Sequence, residues 1–310
     1  MSIEVVLGQM IMIFIMILIG VFLYRSNHLS NDTSKQLSWI IVNITNPITL
    51  LCAALKDENK IGPKEIAVAF VCFIGMYAIL ILISQVLPLL LRVPKESRYE
   101  YRMLTIFGNV GFIGIPFAAA VLGTSSLIYV AICGLTFNLI MYTYGMNVFK
   151  QVANEHQVNS SGKASIINTG TVMAVVTLLV YLVNLQVPSV MGKLLEHIGS
   201  CTTFMSMIVL GVSVAQMVPR KVFSNGRLYA YILIRQIGVP VLIAYLLAPF
   251  GLPTLMRQTI VIMCAMPAAN LPLMVAKQFG IQEANISAGI IFTTLASIVT
   301  IPAVIFFVNF

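Results

Sequence analysis

The chain has 310 residues, of which 59% are hydrophobic and only 9% charged, with a formal net charge of +8. Average soluble domains are about one quarter charged, so a soluble globular protein is excluded. The positive charges are scattered through short loops without a basic stripe, which argues against a nucleic-acid partner.

Apolar residues come in blocks of about 20, enough to cross a bilayer's hydrocarbon core. Ten blocks are read: 5–24, 35–55, 65–91, 100–122, 126–149, 165–184, 194–217, 228–248, 255–277 and 283–308. The first lacks a basic leading segment and an Ala-x-Ala cleavage site, and runs into Tyr24-Arg25. It reads as a retained span, not a secretory signal. The second carries Asn43-Ile44-Thr45-Asn46-Pro47-Ile48-Thr49. Two asparagines three apart share a helix face, which either lines a polar cavity or bonds a neighbouring helix. The sequon-like Asn43-Ile44-Thr45 lies in mid-span, where glycosylation is implausible.

The fourth block contains Gly108-Asn109-Val110-Gly111-Phe112-Ile113-Gly114-Ile115-Pro116. Proline lacks an N–H and clashes with the carbonyl four residues earlier, here Phe112. Asn109 stands on the amino-terminal side of that break, with an amide able to donate and accept. A glycine face for close helix packing is the structural alternative. Block five adds Thr136, Asn138 and Tyr142. The least apolar stretch follows, and it divides the chain into a first five-helix repeat (1–149), a cytoplasmic linker (150–164) and a second repeat (165–310). The seventh block is short. The eighth holds Arg235 and Gln236; a buried cation beside neutral amides suits an anion, while the long arginine stem equally allows snorkelling to the cytoplasmic surface. The ninth is interrupted at Pro267-Ala268-Ala269-Asn270-Leu271-Pro272, and the tenth carries Thr293, Thr294, Ser297 and Thr300.

In lipid an unpaired peptide group costs several kcal/mol, so broken helices survive only inside protein or beside a watery cavity. A matched pair of Gly/Pro-interrupted segments is the strongest sequence pointer to a secondary transporter's binding site. Shifting the second half back by roughly 157 positions brings Pro63-Lys64 onto Pro219-Arg220-Lys221, the two breaks near each other, and Gly123 onto Gly280. Five spans per half force the halves into opposite orientations. The expected fold is therefore an all-α membrane protein of ten transmembrane helices, built as two inverted repeats of five with broken crossing helices four and nine.

Orientation follows from the basic residues. With the amino terminus outside, the cytoplasmic side holds Arg25, Lys35, Arg92, Lys95, Arg98, Arg102, Lys150, Lys163, Arg220, Lys221, Arg227 and Lys277, against Lys56, Lys60, Lys64, Lys193 and Arg257 outside. The positive-inside rule then places both termini on the outer side of the cell membrane. No Asp or Glu occupies the middle of a span, whereas proton and sodium carriers usually rely on a buried carboxylate. The five cysteines are dispersed without a C-x-x-C pair, which suggests neither a disulfide framework nor a metal site. No H-E-x-x-H or G-x-S-x-G motif marks an enzyme, and no cofactor is implied.

The run Asn109-x4-Gly114-Ile115-Pro116-x6-Gly123 resembles span four of the auxin efflux carrier family, which includes plant carriers and bacterial malate or malonate permease-like proteins. Pro267-Ala268-Ala269-Asn270-Leu271-Pro272 through Ala276-Lys277-Gln278-Phe279 is similar to its span nine, Ile291-Phe292 through Ile301-Pro302 to its last span, and Pro47 to the proline of span two. The resemblance implies two inverted repeats, an elevator-like scaffold-and-transport arrangement, and a carboxylate held where helices four and nine unwind. It assigns binding to Asn109, with Asn46 facing the same pocket. Gly108 replaces a frequent family proline, and Ala268 replaces the plant carriers' glutamine.

The sequence thus predicts a secondary carrier for a small organic anion, a mono- or dicarboxylate. Asn46, Asn109 and Asn270, with Asn43 and Asn138 nearby, would contact substrate. Gly108, Gly111, Pro116, Pro267 and Pro272 would keep the crossover unwound, and Arg235 is a candidate anion contact. The partners expected are that anion and the lipid bilayer, and a homodimer is compatible with the same reading. A membrane sensor that binds without translocating, or a proton- or sodium-coupled antiporter, are the competing readings.

Overall fold

The computed structural model describes residues 3–56, 61–155, 169–183, 185–216, 226–279, 281 and 284–308. Among these the chain is almost entirely helical, and its β structure is one isolated bridge. The helical stretches are α1 (Ile3–Arg25), α2 (Asn31–Ile40, a π turn at Ile41–Thr45, then Asn46–Lys56), α3 (Pro63–Leu90) and α4 (Arg98–Ile106). A π turn at Val110–Gly114 leads into α5 (Ile115–Leu122), followed by α6 (Leu127–Ile140, π turn Met141–Gly145, Met146–Glu155) and α7 (Thr169–Val183). Then come α8 (Ser189–Ala215), α9 (Gly226–Ile232, π turn Leu233–Gly238, Val239–Leu247), α10 (Thr254–Ala265), α11 (Leu271–Phe279) and α12 (Ala284–Val308).

Local chemistry sets these bounds. Ser30 caps α2 by accepting the Thr33 N–H at 3.1 Å, so the helix begins four residues before the apolar block it carries. Proline opens or immediately precedes α3, α8 and α10 at Pro63, Pro188 and Pro253, where its missing N–H is no loss. Gly123, at φ 87°, ends α5 in a conformation that side chains disfavour.

Among the described residues, five stretches are long and apolar enough to cross a bilayer: Pro63–Leu90, Thr124–Asn154, Ser189–Ala215, Gly226–Phe250 and Asn285–Val308. Ile11–Arg25, Val110–Leu122 and Thr254–Ala265 are apolar but shorter, the last two because a break truncates them. Large apolar side chains such as Ile15, Phe22, Leu82, Val86 and Phe306 point outward. Hydrocarbon accepts such a surface, and the chain is a multi-pass membrane protein. The seventh apolar block is not short: α8 covers 27 residues, because its first turns carry the exposed Lys193, Glu196 and His197 and so look polar in sequence. The expected linker is helical through Glu155, and residues 156–168 lie outside the described residues.

Helix packing uses small residues where backbones touch. A methyl added to Gly20 of α1 would land on the Ile208 carbonyl oxygen of α8, and one added to Gly211 of α8 would land on Ile17 O and Gly20 Cα. The Thr49 hydroxyl ties α2 to the same helix, through Gly199 O at 3.0 Å and Thr202 Oγ1 at 2.8 Å. Tyr129 of α6 donates to Glu65 of α3.

Candidate functional site

The two sequence interruptions are real breaks, and they face each other. α4 ends at Ile106, where Phe107 becomes extended; α10 ends at Ala265, where Met266 does the same. Between them Gly108 and Ala268 pair as an antiparallel bridge. The Asn109 N–H donates to Pro267 O at 2.6 Å, and the Ala269 N–H donates to Phe107 O at 2.9 Å. Unwound peptides in an apolar interior need partners, and each break supplies them to the other. A further amide of the bridge, Ala268 N–H, donates to Thr293 Oγ1 of α12 at 3.0 Å.

Asn109 caps the π turn that follows. Its Oδ1 accepts the Phe112 N–H at 3.0 Å, which fixes how the amide is turned. The Nδ2 therefore faces the other way, buried and without a hydrogen-bond partner. Asn46 enters from α2, where it follows the π turn at Ile41–Thr45. Its Oδ1 is also buried and unpartnered, and its Nδ2 lies 3.6 Å from where a side chain on Gly111 would begin. A Cβ at Gly111 would thus only touch this amide at ordinary contact distance. Buried polar groups are nearly always paired, and leaving one unpaired costs about 1–3 kcal/mol. An orphaned donor and an orphaned acceptor thus lie beside the same π turn.

The other expected residues divide. Asn270 is half-buried just ahead of α11, and Pro272 is that helix's second residue. Pro116 sits in the first turn of α5. Asn138 is half-buried beside Phe137, whose ring meets Phe107 edge-on at 5.3 Å between centroids. Asn43 turns back on its own helix, donating to Trp39 O at 2.9 Å.

Arg235 does not snorkel. It is 2% exposed, and its guanidinium donates through Nε to Thr105 O at 2.6 Å and through Nη1 to Cys264 O at 2.7 Å. Both acceptors belong to the last turns of the broken helices, α4 and α10. Carbonyls at a helix end have no N–H ahead of them, and a planar fork of five donors can satisfy several. The neighbouring Gln236 donates Nε2 to Thr293 O at 2.9 Å, so α9 and α12 are both fastened to the crossing.

One buried acid was not singled out by sequence. Glu100, in the first turn of α4, is completely buried and accepts from Asn285 at both its backbone N–H (2.9 Å) and its Nδ2 (2.6 Å). It thereby caps the start of α12, a favourable place for negative charge. The partners are 185 residues apart, and no local pattern announces them. Among the described residues, no group of three or more His, Cys, Asp or Glu side chains is arranged to hold a metal ion.

Residues 5–305 match the family model described as membrane transport protein. The chain is also 22% identical over 302 residues to an uncharacterized transporter of Methanocaldococcus jannaschii, covering 94% of this chain and 95% of that relative.

Proposed function

The chain belongs to the auxin efflux carrier family of membrane transport proteins, and from that premise we propose that it is a secondary carrier moving a small mono- or dicarboxylate across the cell membrane by alternating access. The observation that carries this reading is Asn109. Its carbonyl oxygen is committed to the Phe112 N–H, so the amide can offer only its Nδ2 donor, and that donor lies buried and unpartnered beside the crossing. A guest that meets it must accept hydrogen bonds, as a carboxylate does. The π turn before α5 and the start of α11 add helix amino termini, which favour negative charge. Asn46 and Asn270 complete the polar lining.

In this reading α4 with α5, and α10 with α11, each form one crossing, giving ten spans in two inverted repeats with both termini outside. The close packing of α1 and α2 on α8 supports a frame against which the crossover moves as an elevator. Glu100 is engaged as a helix cap through Asn285.

The test is uptake of radiolabelled malonate and malate into proteoliposomes containing the purified protein. Saturable flux above protein-free vesicles supports the carrier. Binding of either anion without flux would replace it with a non-translocating sensor, and neither binding nor flux would refute the anion site.

A further inference from the structure

Four helix ends meet at the crossing, and their partial charges oppose one another. The π turn before α5 and the start of α11 contribute positive amino termini, while α4 and α10 contribute negative carboxyl termini. An unmodified meeting of this kind would have little net sign. Arg235 alters the balance, because its guanidinium sits on the two negative ends, donating to Thr105 O at 2.6 Å and Cys264 O at 2.7 Å and lying against the Cys264 thiol. Both acceptors are themselves buried, as Thr105 is 0% and Cys264 1% exposed. Among the described residues no carboxylate lies within ion-pairing distance of Arg235. Arg102 and Arg257 lie farther back on α4 and α10 and are half-buried, each with its Nε buried and unpartnered, so they are less desolvated overall than Arg235 and farther from the break. A full cation in a desolvated place acts over a longer range than the same charge in water.

We propose that Arg235 is a positioning and selectivity residue: it clamps the carbonyl ends of both broken helices together, and its unpaired charge makes the crossover field positive, which selects anions and favours two charges over one. This rests on the anion reading of the same site but assigns a role to a residue outside the guest's first contacts. Arginine suits both tasks, since one planar group reaches carbonyls on two different helices and does not lose its proton. The π turn at Leu233–Gly238 displaces Arg235 from regular helix register at the level where the two carbonyls end.

The experiment compares wild type, Arg235→Lys and Arg235→Gln in detergent, titrated with malonate and with monomethyl malonate, which has a single carboxylate. Arg235→Gln should weaken malonate binding on the order of tenfold or more, and monomethyl malonate distinctly less. Arg235→Lys, which retains the charge with fewer bonds, should recover most malonate affinity. A purely structural residue would affect both probes equally and would not be rescued by lysine, and either result overturns the charge role. If Arg235→Gln does not fold, the lysine variant decides alone: folded protein that has lost malonate binding refutes the proposal.

The clamp has its own readout, independent of any ligand. In a background of Cys52→Ala, Cys72→Ala, Cys133→Ala and Cys201→Ala, the remaining Cys264 thiol is buried and should resist N-ethylmaleimide. Adding Arg235→Gln should expose it, or Arg235→Lys should do so to a smaller degree. Unchanged protection would overturn the clamp. A wild type that binds neither probe would instead refute the anion site, leaving the labelling result to judge Arg235.

Discussion

Replacing Asn109 by alanine separates binding from stability more cleanly than any other change at the crossing. Two terms act on the empty protein, and they oppose each other. Losing the bond from Oδ1 to the Phe112 N–H removes a cap of typically about 1 kcal/mol. Deleting the unpartnered Nδ2 removes a buried donor whose desolvation costs about 1–3 kcal/mol. The thermal midpoint of the empty protein should therefore stay close to wild type or rise. With ligand the balance changes, because a hydrogen bond to a charged group contributes about 1.5–3 kcal/mol. Its loss should weaken malonate binding roughly ten- to 150-fold. Asn109→Asp sharpens the test: it keeps an oxygen to cap Phe112 but turns the free donor into an acceptor with negative charge, so it should bind malonate worse than alanine does. Midpoints measured by intrinsic fluorescence and affinities by calorimetry read both halves. Wild-type affinity in Asn109→Ala, or better binding in Asn109→Asp than in Asn109→Ala, would show that Nδ2 does not face the guest.

Gly211→Ala should destabilise by about 1–3 kcal/mol or more, because the new methyl coincides with Ile17 O and Gly20 Cα, backbone atoms that cannot move aside alone; Gly134→Ala, with open space around its site, is the control and should be neutral or stabilising in the same thermal assay. Thr293→Val keeps the shape but leaves the Ala268 N–H of the bridge unpaired, a cost of about 1–3 kcal/mol. Thr293→Ser should restore most of it, and equal midpoints for the two variants would exclude that bond as a support of the crossing. Glu100→Gln replaces the two-oxygen carboxyl cap of α12 by an amide with a single acceptor oxygen, and amide exchange in the first turn of that helix should accelerate; unchanged exchange would mean that Asn285 is held by packing instead.

What could be read from the sequence was whatever the backbone itself enforces. The positions of both breaks follow from Gly108, Pro116, Pro267 and Pro272, since each removes a donor or a side chain at a known place. The apolar blocks follow from the bilayer's thickness. Contacts set by tertiary geometry were not readable. Arg235 looked equally suited to an anion and to the membrane surface, because nothing nearby in sequence reveals that Thr105 O and Cys264 O end beside it. Glu100 sits among Arg98, Tyr99, Tyr101 and Arg102, a stretch with the polarity of a loop, yet burial beside Asn285 makes it a core residue. Asn43 and Asn46 share a sequence pattern and a helix, but only Asn46 is left with an unpartnered buried atom, because the amide of Asn43 finds Trp39 O one turn back.

A further regularity links the prolines to the crossing. Three π turns, at Ile41–Thr45, Val110–Gly114 and Leu233–Gly238, each end two residues before a proline: Pro47, Pro116 and Pro240. Proline's ring crowds the carbonyl four residues earlier, here Asn43, Phe112 and Gln236, and all three lie inside the widened turns. Widening the turn relieves that crowding at the expense of regular bonding. These same three turns bring Asn46, Asn109, Arg235 and Gln236 to the crossing, within them or at their edges. The π turn at Met141–Gly145 has no such proline and a different cause: a Cβ on Gly145 would sit 3.2 Å from the ring of Phe107, so the glycine lets α6 close on the break itself. In a membrane interior, where exposing peptide groups is costly, irregular turns gathered on one locus are explained by what they deliver to it, which is side-chain amides and a guanidinium that regular helices would have aimed elsewhere.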